Sequence, residues 1–217
     1  MPGRFRTRPL LAAALAVAAL AGLPGCGGGS GGGGTSSGAG AGTAGFPGAS
    51  LLPAGLRGRP APAFRLASAR GGTLDTARLR GRPYAVTFLY VHCPDVCPLI
   101  AQELVGALRR LGPAASRVAV AAVSVDPEGD TPADVRAFLR AHRAPPQFAY
   151  GIGSRRELQP VWRAWFAAPQ IPGRPESAHT ATVWLIDRDG RIAAKYDGGT
   201  AIDPADLASG FRTLLRA

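Results

Sequence analysis

The sequence lacks a dense run of basic residues, an internal repeat and an apolar stretch of typical membrane-spanning length. Its 25 basic residues outnumber its 14 acidic ones, for a formal net charge of +11, yet they are scattered and have no aromatic residues interleaved among them. Nucleic-acid-binding surfaces need clustered positive charge, and those that bind single strands also need stacking aromatic side chains. We therefore predict no nucleic-acid partner, and only a generic attraction to anionic lipid headgroups.

Cysteine is also scarce, with three residues in the chain, and an odd number leaves one thiol without a partner in an exported protein. The first, Cys26, follows three early arginines and the apolar residues 10–23. About 14 apolar residues are few for a membrane span and typical of a signal peptide. Residues 23–26 are Leu-Pro-Gly-Cys and resemble a bacterial lipobox, although Pro24 replaces the usual small residue. We predict cleavage before Cys26 and its lipidation; the alternative is a plain signal peptide that leaves Cys26 free.

Glycine, by contrast, is abundant, and most of the excess among its 30 residues precedes residue 56. A segment of Gly, Ser and Ala cannot bury a core, and here it would behave as a flexible chain with a reach of roughly 30 Å. We predict a lipoprotein-type signal peptide (1–25), a flexible linker (26–55) and a folded domain (56–217). The protein is then expected to be exported and anchored to the outer face of the bacterial plasma membrane as a lipoprotein.

Apolar patterns in the predicted domain alternate between those of strands and those of helices. A hairpin is expected around residues 64–74, and helices are expected to start near Pro98, Thr131, Ser154 and Asp203. Further strands are predicted at residues 84–90, 118–125, 148–152, 182–186 and 192–196. Strand–helix alternation predicts parallel pairing, and the last two strands predict an antiparallel edge. With a cysteine motif after the first buried strand, this predicts an α/β fold, a thioredoxin-like three-layer sandwich with a mixed central sheet and an N-terminal β-hairpin.

Cys93 and Cys97 lie where the first buried strand passes into a helix, a place where α/β folds commonly bind ligands. Four residues apart on a helical or nearly helical segment, both sulfurs face one side, and the helix N-terminus favours their thiolates. Asp95 is expected to cap free N–H groups there. A disulfide that closes so short a loop would add little stability, so a purely structural pair is disfavoured. Redox exchange and metal binding remain, and two thiolates with one imidazole would suit copper.

Three histidines could supply that imidazole. His92 adjoins Cys93, but neighbouring side chains point apart on an extended chain. His142 follows the second predicted helix and is expected on the surface. His179 follows a loop rich in Pro and Gly and directly precedes a buried strand, so this loop can fold over the cysteine edge of the sheet. The residues alone leave the third ligand open.

Three motifs follow one another along the chain: residues 86–98 around the cysteines, residues 124–132, and Ala178-His179-Thr180 with the later turn at residues 187–190. They resemble signature segments of the SCO/SenC family of copper-handling, thioredoxin-like proteins of cytochrome oxidase assembly. The resemblance extends over about residues 58–216. It implies that Cys93, Cys97 and His179 bind copper, as Cu(I), Cu(II) or both. Ala178 stands where the family commonly has Asp, which affects how His179 is oriented or how a partner docks.

The resemblance also implies a function and its partners. The chain would be a copper chaperone that receives copper from another donor protein and delivers it to the cytochrome c oxidase subunit with the dinuclear copper site. The alternative is an enzyme, a thiol–disulfide oxidoreductase in which Cys93 and Cys97 are catalytic and keep target cysteines reduced for metallation. Asp95 and Asp126 are candidates for supporting the ligands or contacting a partner, and a plain turn role is the alternative for Asp126. A thiol peroxidase is disfavoured, because no Thr or Ser lies three residues before either cysteine.

Overall fold

The computed structural model describes residues 45–171, 181–198 and 202–217. Cys26 and His179 lie outside the described residues, as do the predicted signal peptide and most of the predicted linker. The strands are β1 (Arg65–Ser68), β2 (Thr73–Asp75), β3 (Tyr84–Leu89), β4 (Ala119–Ser124), β5 (Phe148–Ile152), β6 (Thr182–Ile186) and β7 (Ile192–Asp197). The helices are α1 (Val96–Leu111), α2 (Pro132–Ala141), α3 (Arg155–Ala164) and α4 (Pro204–Arg216). Within this part of the chain, no helix is long and apolar enough to cross a membrane.

All seven strands form one mixed sheet in the order β2-β1-β5-β4-β3-β6-β7. The central strands β3, β4 and β5 run parallel to one another. The pair β6–β7 continues the sheet antiparallel beyond β3, and the β1–β2 hairpin pairs antiparallel with β5 on the other side. Every residue of β3 and β4 is buried, as expected for parallel strands covered on both faces. The predicted α/β fold with a mixed sheet and an N-terminal hairpin is confirmed.

The helices cover both faces of the sheet. On one face, α4 approaches β6 so closely that a Cβ at Gly210 would lie 2.7 Å from the Leu185 side chain, and α1 packs against α4. Trp184 is the neighbour of Leu185 on β6 and therefore points to the opposite face. There its ring contacts the ring of Trp165, just after α3, with the centroids 5.9 Å apart. The predicted three-layer arrangement follows, with apolar side chains packed on both sides of the sheet.

Three of the four helices start at the capping patterns that the sequence contains. The side chain of Thr131 caps α2, and the side chain of Asp203 caps α4. At α3, Ser154 and Glu157 form a reciprocal capping box. Each of these side chains satisfies a backbone N–H group that has no partner inside its helix. The predicted starts of α2, α3 and α4 are therefore confirmed.

The folded part of the chain starts before the predicted boundary at residue 56. Phe46 is 5% exposed and belongs to the apolar core. The backbone N–H of Ser50 donates a hydrogen bond to the carbonyl of Lys195 on β7 at 2.8 Å. One large aromatic side chain buries enough apolar surface to hold a glycine-rich segment in place. Residues 46–50 are therefore packed onto the domain, although their composition predicts a linker.

Candidate functional site

The two cysteines lie at the carboxyl edge of the three parallel strands. β3 ends at Leu89, the loop of residues 90–95 follows, and α1 starts at Val96. Cys93 is therefore in this cysteine loop, and Cys97 is in the first turn of the helix. The segments after β4 and β5 reach the same edge, because strands that run parallel in one sheet end together.

The fold brings Cys93 and Cys97 together as two thiols that no disulfide joins. The backbone N–H of Cys97 donates to the sulfur of Cys93 at 3.4 Å, which stabilises negative charge on that sulfur. Cys93 is 5% exposed, whereas Cys97 is fully buried. Hydrogen bonding with Cys93, and then burial, raise the pKa of the Cys97 thiol far above its ordinary value. Cys97 is therefore protonated at neutral pH, and Cys93 is the sulfur closer to solvent.

Tyr90 contributes to the surroundings of the pair. Its side chain is 2% exposed, so little water reaches the phenol. Burial and a hydrogen bond with Cys93 raise the pKa of Tyr90 above its ordinary value. The phenol therefore stays neutral at physiological pH, and the cysteines have an uncharged hydrogen-bonding neighbour.

The predicted cap of α1 is wrong. Asp95 occupies the N-cap position, but its side chain makes no capping hydrogen bond and is exposed. The sulfur of Cys93 accepts the N–H of Cys97 instead, so a ligand candidate satisfies the helix terminus. The helix also starts at Val96, two residues before the predicted start at Pro98. Asp95 remains a candidate for contact with a partner, because its carboxylate faces solvent beside the cysteine pair.

Asp126 and His92 converge on Gly129, in the turn that follows β4. The Asp126 carboxylate accepts the N–H of Gly129 at 3.1 Å, so the turn role proposed for Asp126 is present. A Cβ at Gly129 would lie 2.3 Å from the Asp126 carboxylate and 3.4 Å from the His92 ring. Only glycine leaves room for this approach. Asp126 consequently lies against the cysteine loop, where support of the ligands or contact with a partner is geometrically feasible.

Asp130 is the site residue that sequence reasoning missed. It is 4% exposed, and its carboxylate joins three segments of the chain. The Val91 N–H donates to it at 2.9 Å, the Ser124 hydroxyl at 2.6 Å and the Tyr150 hydroxyl at 2.9 Å. Asp130 therefore ties the cysteine loop to β4 and β5. No feature of the sequence distinguishes Asp130 from Asp126 as the buried acid. A tight turn directs Asp130 inward, and the Asp130 N–H closes this turn by donating to the Asp126 carbonyl at 2.8 Å.

The surroundings of Asp130 let it hold a proton. Burial raises its pKa to about 6, although the hydrogen bonds from Ser124, Val91 and Tyr150 oppose this shift. The Tyr150 hydroxyl also lies 2.8 Å from the carbonyl of Leu89. A hydroxyl has one proton, so Tyr150 can donate to Leu89 while a protonated Asp130 donates to Tyr150. The network can therefore take up a proton near the cysteines without losing a hydrogen bond.

His142 is not part of this site. It follows the last residue of α2, its ring lies 4.4 Å from the ring of Phe138, and burial lowers its pKa. Since α2 starts at the cysteine edge and leads back to β5, His142 lies near the opposite edge of the sheet. Among residues 45–171, 181–198 and 202–217, no group of three or more His, Cys, Asp or Glu could hold a metal ion. The predicted third ligand, His179, lies outside these residues.

Sequence comparison identifies relatives that share this region. The model of the family described as SCO1/SenC matches residues 56–216. A protein of Stutzerimonas stutzeri that is named as copper-binding is 28% identical over 169 residues, which are 72% of this chain and 80% of that protein. The mitochondrial SCO2 homolog of Bos taurus is 27% identical over 140 residues, which are 61% of this chain and 52% of the bovine protein.

Solved structures are similar over the same region. The structure of Bradyrhizobium japonicum ScoI with copper bound has a TM-score of 0.62 and 29% identity, and the match covers 72% of this chain and 99% of that one. The apo Sco1 protein of Thermus thermophilus has a TM-score of 0.61 and 27% identity, with 73% and 93% covered. The family match includes the whole sheet and both site cysteines. The chain therefore belongs to the SCO1/SenC family.

Proposed function

We propose that this protein is a copper chaperone that binds copper through Cys93, Cys97 and His179 and delivers it to the dinuclear copper site of cytochrome c oxidase. The observation that carries the proposal is a pair of buried thiols at the carboxyl edge of the sheet. No disulfide joins them, and the Cys97 N–H donates to the Cys93 sulfur. Soft sulfur ligands select Cu(I), and an imidazole nitrogen helps to retain Cu(II). Two relatives, from Stutzerimonas stutzeri and Bradyrhizobium japonicum, are named for copper binding or solved with copper.

The unequal burial of the two thiols sets the order in which they bind copper. Cys93 meets incoming copper first, because it is the more exposed of the pair. Cys97 must release its proton to become a ligand, and its raised pKa makes that release depend on the metal. A thiol that readily takes its proton back also gives up the metal readily. Three protein ligands further leave a coordination position open, so a ligand of the recipient can enter before Cys93 or Cys97 leaves.

We also propose where this transfer occurs. The chain is exported, Cys26 carries the lipid, and the domain stays at the outer face of the bacterial plasma membrane. The lipobox-like residues 23–26 and the Gly-rich residues that follow support this arrangement. A linker of this composition reaches roughly 30 Å, which is enough to contact membrane-bound partners. Those partners are a copper donor protein and the oxidase subunit with the dinuclear copper site.

Copper titration of variants tests the ligand set. The full chain with Cys26→Ser, which removes the third thiol, is titrated anaerobically with Cu(I) and with Cu(II) against a competing chelator. Absorption and electron paramagnetic resonance spectra report the ligands. We expect near-stoichiometric binding and its loss in Cys93→Ser/Cys97→Ser. The affinity for Cu(II) should be at least about tenfold weaker in His179→Ala, because loss of even a group that supports a ligand costs about 10- to 100-fold.

The matched control is His142→Ala, which removes an imidazole that packs on Phe138 away from the cysteines. It should bind copper as the parent does. Normal Cu(II) affinity and an unchanged spectrum in His179→Ala would show that His179 is not a ligand. Binding that survives loss of both cysteines would refute the site altogether.

A thiol–disulfide oxidoreductase is the second candidate, and the asymmetry of the pair favours it. The Cys93 sulfur accepts a hydrogen bond and is near solvent, as a nucleophilic thiol should be, whereas Cys97 is buried with a raised pKa. This chemistry needs both cysteines but not His179. If cells that carry His179→Ala still assemble active oxidase, and both Cys→Ser variants fail, the oxidoreductase reading is preferred.

A further inference from the structure

The edge of the sheet opposite the cysteines is strongly basic. The segments that precede β3, β4 and β5, the turn after β6, and the last turn of α4 meet at this edge. We call this surface the arginine end. Its eleven arginines are Arg80, Arg82, Arg109, Arg110, Arg117, Arg140, Arg143, Arg188, Arg191, Arg212 and Arg216. The acidic side chains in the same segments are Asp187 and Asp189.

The contacts of these arginines confirm that the segments meet. The guanidinium of Arg212 in α4 donates to the carbonyl of Arg110 near the end of α1 at 2.7 Å. The guanidinium of Arg188 donates to the carbonyl of Leu215 at 3.1 Å. Such carbonyls at helix C-termini carry partial negative charge, and they bind cations without neutralising them. Arg82 likewise donates to the carbonyl of Val118, just before β4.

The positive charge at this end is not cancelled by acidic partners. In the part of the chain that the structure describes, ion pairs involve Arg78, Arg155 and Lys195, and none involves an arginine of the arginine end. Nine of the eleven arginines are exposed. Exposed guanidinium groups outside ion pairs are the donors that best match phosphate oxygens, because their planar fork can donate two hydrogen bonds at once.

The opposite, cysteine-bearing edge has the reverse charge. We define the cysteine end as residues 90–95, 125–134, 153–157, 197–198 and 203–206. It carries nine acidic residues, Asp95, Asp126, Glu128, Asp130, Asp134, Glu157, Asp197, Asp203 and Asp206, and its basic residues among those described are Arg155 and Arg156. Strands of six residues separate the two ends by about 20 Å, more than twice the screening length of about 8 Å at physiological salt. Each end therefore acts on its surroundings as an independent charge.

We propose that the arginine end docks on an anionic phospholipid surface and turns the cysteine end away from the membrane. Exposed cations spread over one end of the domain match an array of headgroup phosphates. The large exposed apolar side chains of the described residues are Leu51, Leu99, Phe166 and Ile171, and none belongs to the arginine end. The face therefore offers no aromatic platform for nucleic-acid bases, and contact with lipid is electrostatic rather than inserted.

Docking in this orientation has a consequence for copper transfer. A lipid anchor and a linker alone would not set the orientation of the domain, whereas attraction at one end and repulsion at the other would select one orientation. The thiols Cys93 and Cys97 then face partners that approach from the aqueous side. The inference does not depend on copper binding, because it rests on charges that lie away from the cysteines.

Vesicle binding by the full chain tests the proposal. Partition of the chain is measured on vesicles of phosphatidylcholine alone and on vesicles that also contain phosphatidylglycerol, and the ratio of the two is reported. Insertion of the apolar N-terminal segment contributes to both kinds of vesicle and cancels in the ratio. Because each arginine near the surface contributes about fivefold, Arg109→Gln/Arg117→Gln should lower the ratio about 25-fold at about 0.1 M salt and little at about 1 M salt.

The matched control is Arg65→Gln/Arg156→Gln, which removes the same charge from exposed residues near the cysteine end. Its ratio should stay within about threefold of the parent value, since these arginines lie beyond the screening length. Hydrogen–deuterium exchange on anionic vesicles should slow in residues 109–118 and not in residues 125–131. Equal losses in the two double variants, or protection at the cysteine end, would overturn the proposal. Tighter binding to a DNA duplex than to anionic vesicles would reassign the face to nucleic acid.

Discussion

Cys97 and Asp130 both have a raised pKa, but for different reasons. Hydrogen bonding with Cys93 and then burial raise the pKa of Cys97, whereas burial alone is the main cause at Asp130. Both effects favour the protonated form of Cys97, which is fully buried. Asp130 receives three hydrogen bonds that favour its ionised form, and these keep its pKa near 6. The same carboxyl also holds the Val91 N–H, two residues before Cys93. A single buried acid thus positions the cysteine loop and remains sensitive to pH.

The pH dependence of stability should reveal Asp130. The folded protein binds this proton more tightly than the unfolded chain, because the pKa is raised from 3.8 to about 6. The stability that this raised pKa contributes is fully present below about pH 4 and is lost as the pH rises from about 4 to 6. Above about pH 6, the free energy of unfolding is therefore about 3 kcal/mol lower than at pH 4 because of this group. Asp130→Asn cannot ionise, so its free energy of unfolding should lose this decline, as measured by urea unfolding between pH 4 and 7. The control is Asp95→Asn, at an exposed side chain without a capping bond, and it should keep the decline in stability with rising pH. If stability falls with pH in Asp130→Asn as it does in the parent, the assignment to Asp130 is contradicted.

The elements of the fold show how closely the layers approach. α4 lies against β6 and β7 at Gly210, where an added Cβ would be 2.7 Å from Leu185, 2.9 Å from the Tyr196 hydroxyl and 3.3 Å from Phe46. These neighbours come from the sheet and from the segment before the predicted domain boundary. The glycine therefore lets one helix contact the sheet and hold residues 45–50 at the same time.

Gly210→Ala should destabilise the protein. Alanine favours a helix by up to about 1 kcal/mol, but overpacking against three buried side chains costs about 1–3 kcal/mol, so the net change should be a loss of about 1 kcal/mol or more. Thermal or urea unfolding measures it. Ser209→Ala, the adjacent and half-buried position on α4, should change the free energy of unfolding by no more than about 0.5 kcal/mol. A Gly210→Ala protein that is more stable than the parent would show that the helix can move away from the sheet.

The folded domain, in the residues that the structure describes, is electrostatically two-sided. Acidic side chains surround the thiols and attract cationic copper towards them, while the arginine end attracts anions. A lipid on Cys26 would hold the domain near the membrane, and the arginine end would set its orientation. The two interactions differ in character, because the lipid is insensitive to salt and the arginines are not.

Cys26→Ser tests the anchor in cells of a bacterial host. The variant should move from the membrane fraction to the soluble exported fraction after a wash at about 1 M salt, which screens the arginine end. Incorporation of a labelled fatty acid should be lost in the same variant. Cys93→Ser is the control for loss of a thiol and should remain with the membranes and keep the label. Retention of Cys26→Ser on washed membranes would show that another segment anchors the chain.

Much of the fold could be predicted from the sequence, because the relevant forces act between near neighbours. Buried strands such as β3 and β4 are visible as apolar runs, and α3 starts at Ser154 because the capping residue Glu157 is three residues away. The cap of α1 could not be predicted in this way. Asp95 is in the right place, but the sulfur of Cys93 accepts the N–H that it was expected to bind. A sulfur acceptor depends on how the loop turns, which residue type alone does not specify.

By itself, the sequence determined the strands, most helix starts and the closeness of Cys93 and Cys97 at the start of α1, because each depends on residues a few positions apart. The tertiary structure decided that Asp130 rather than Asp126 is buried, since that choice needs Val91 and Tyr150 to be present as donors. It also gathered the scattered arginines. β3, β4 and β5 start at residues 84, 119 and 148, far apart in the chain, yet parallel strands begin at one edge and bring the segments before them together.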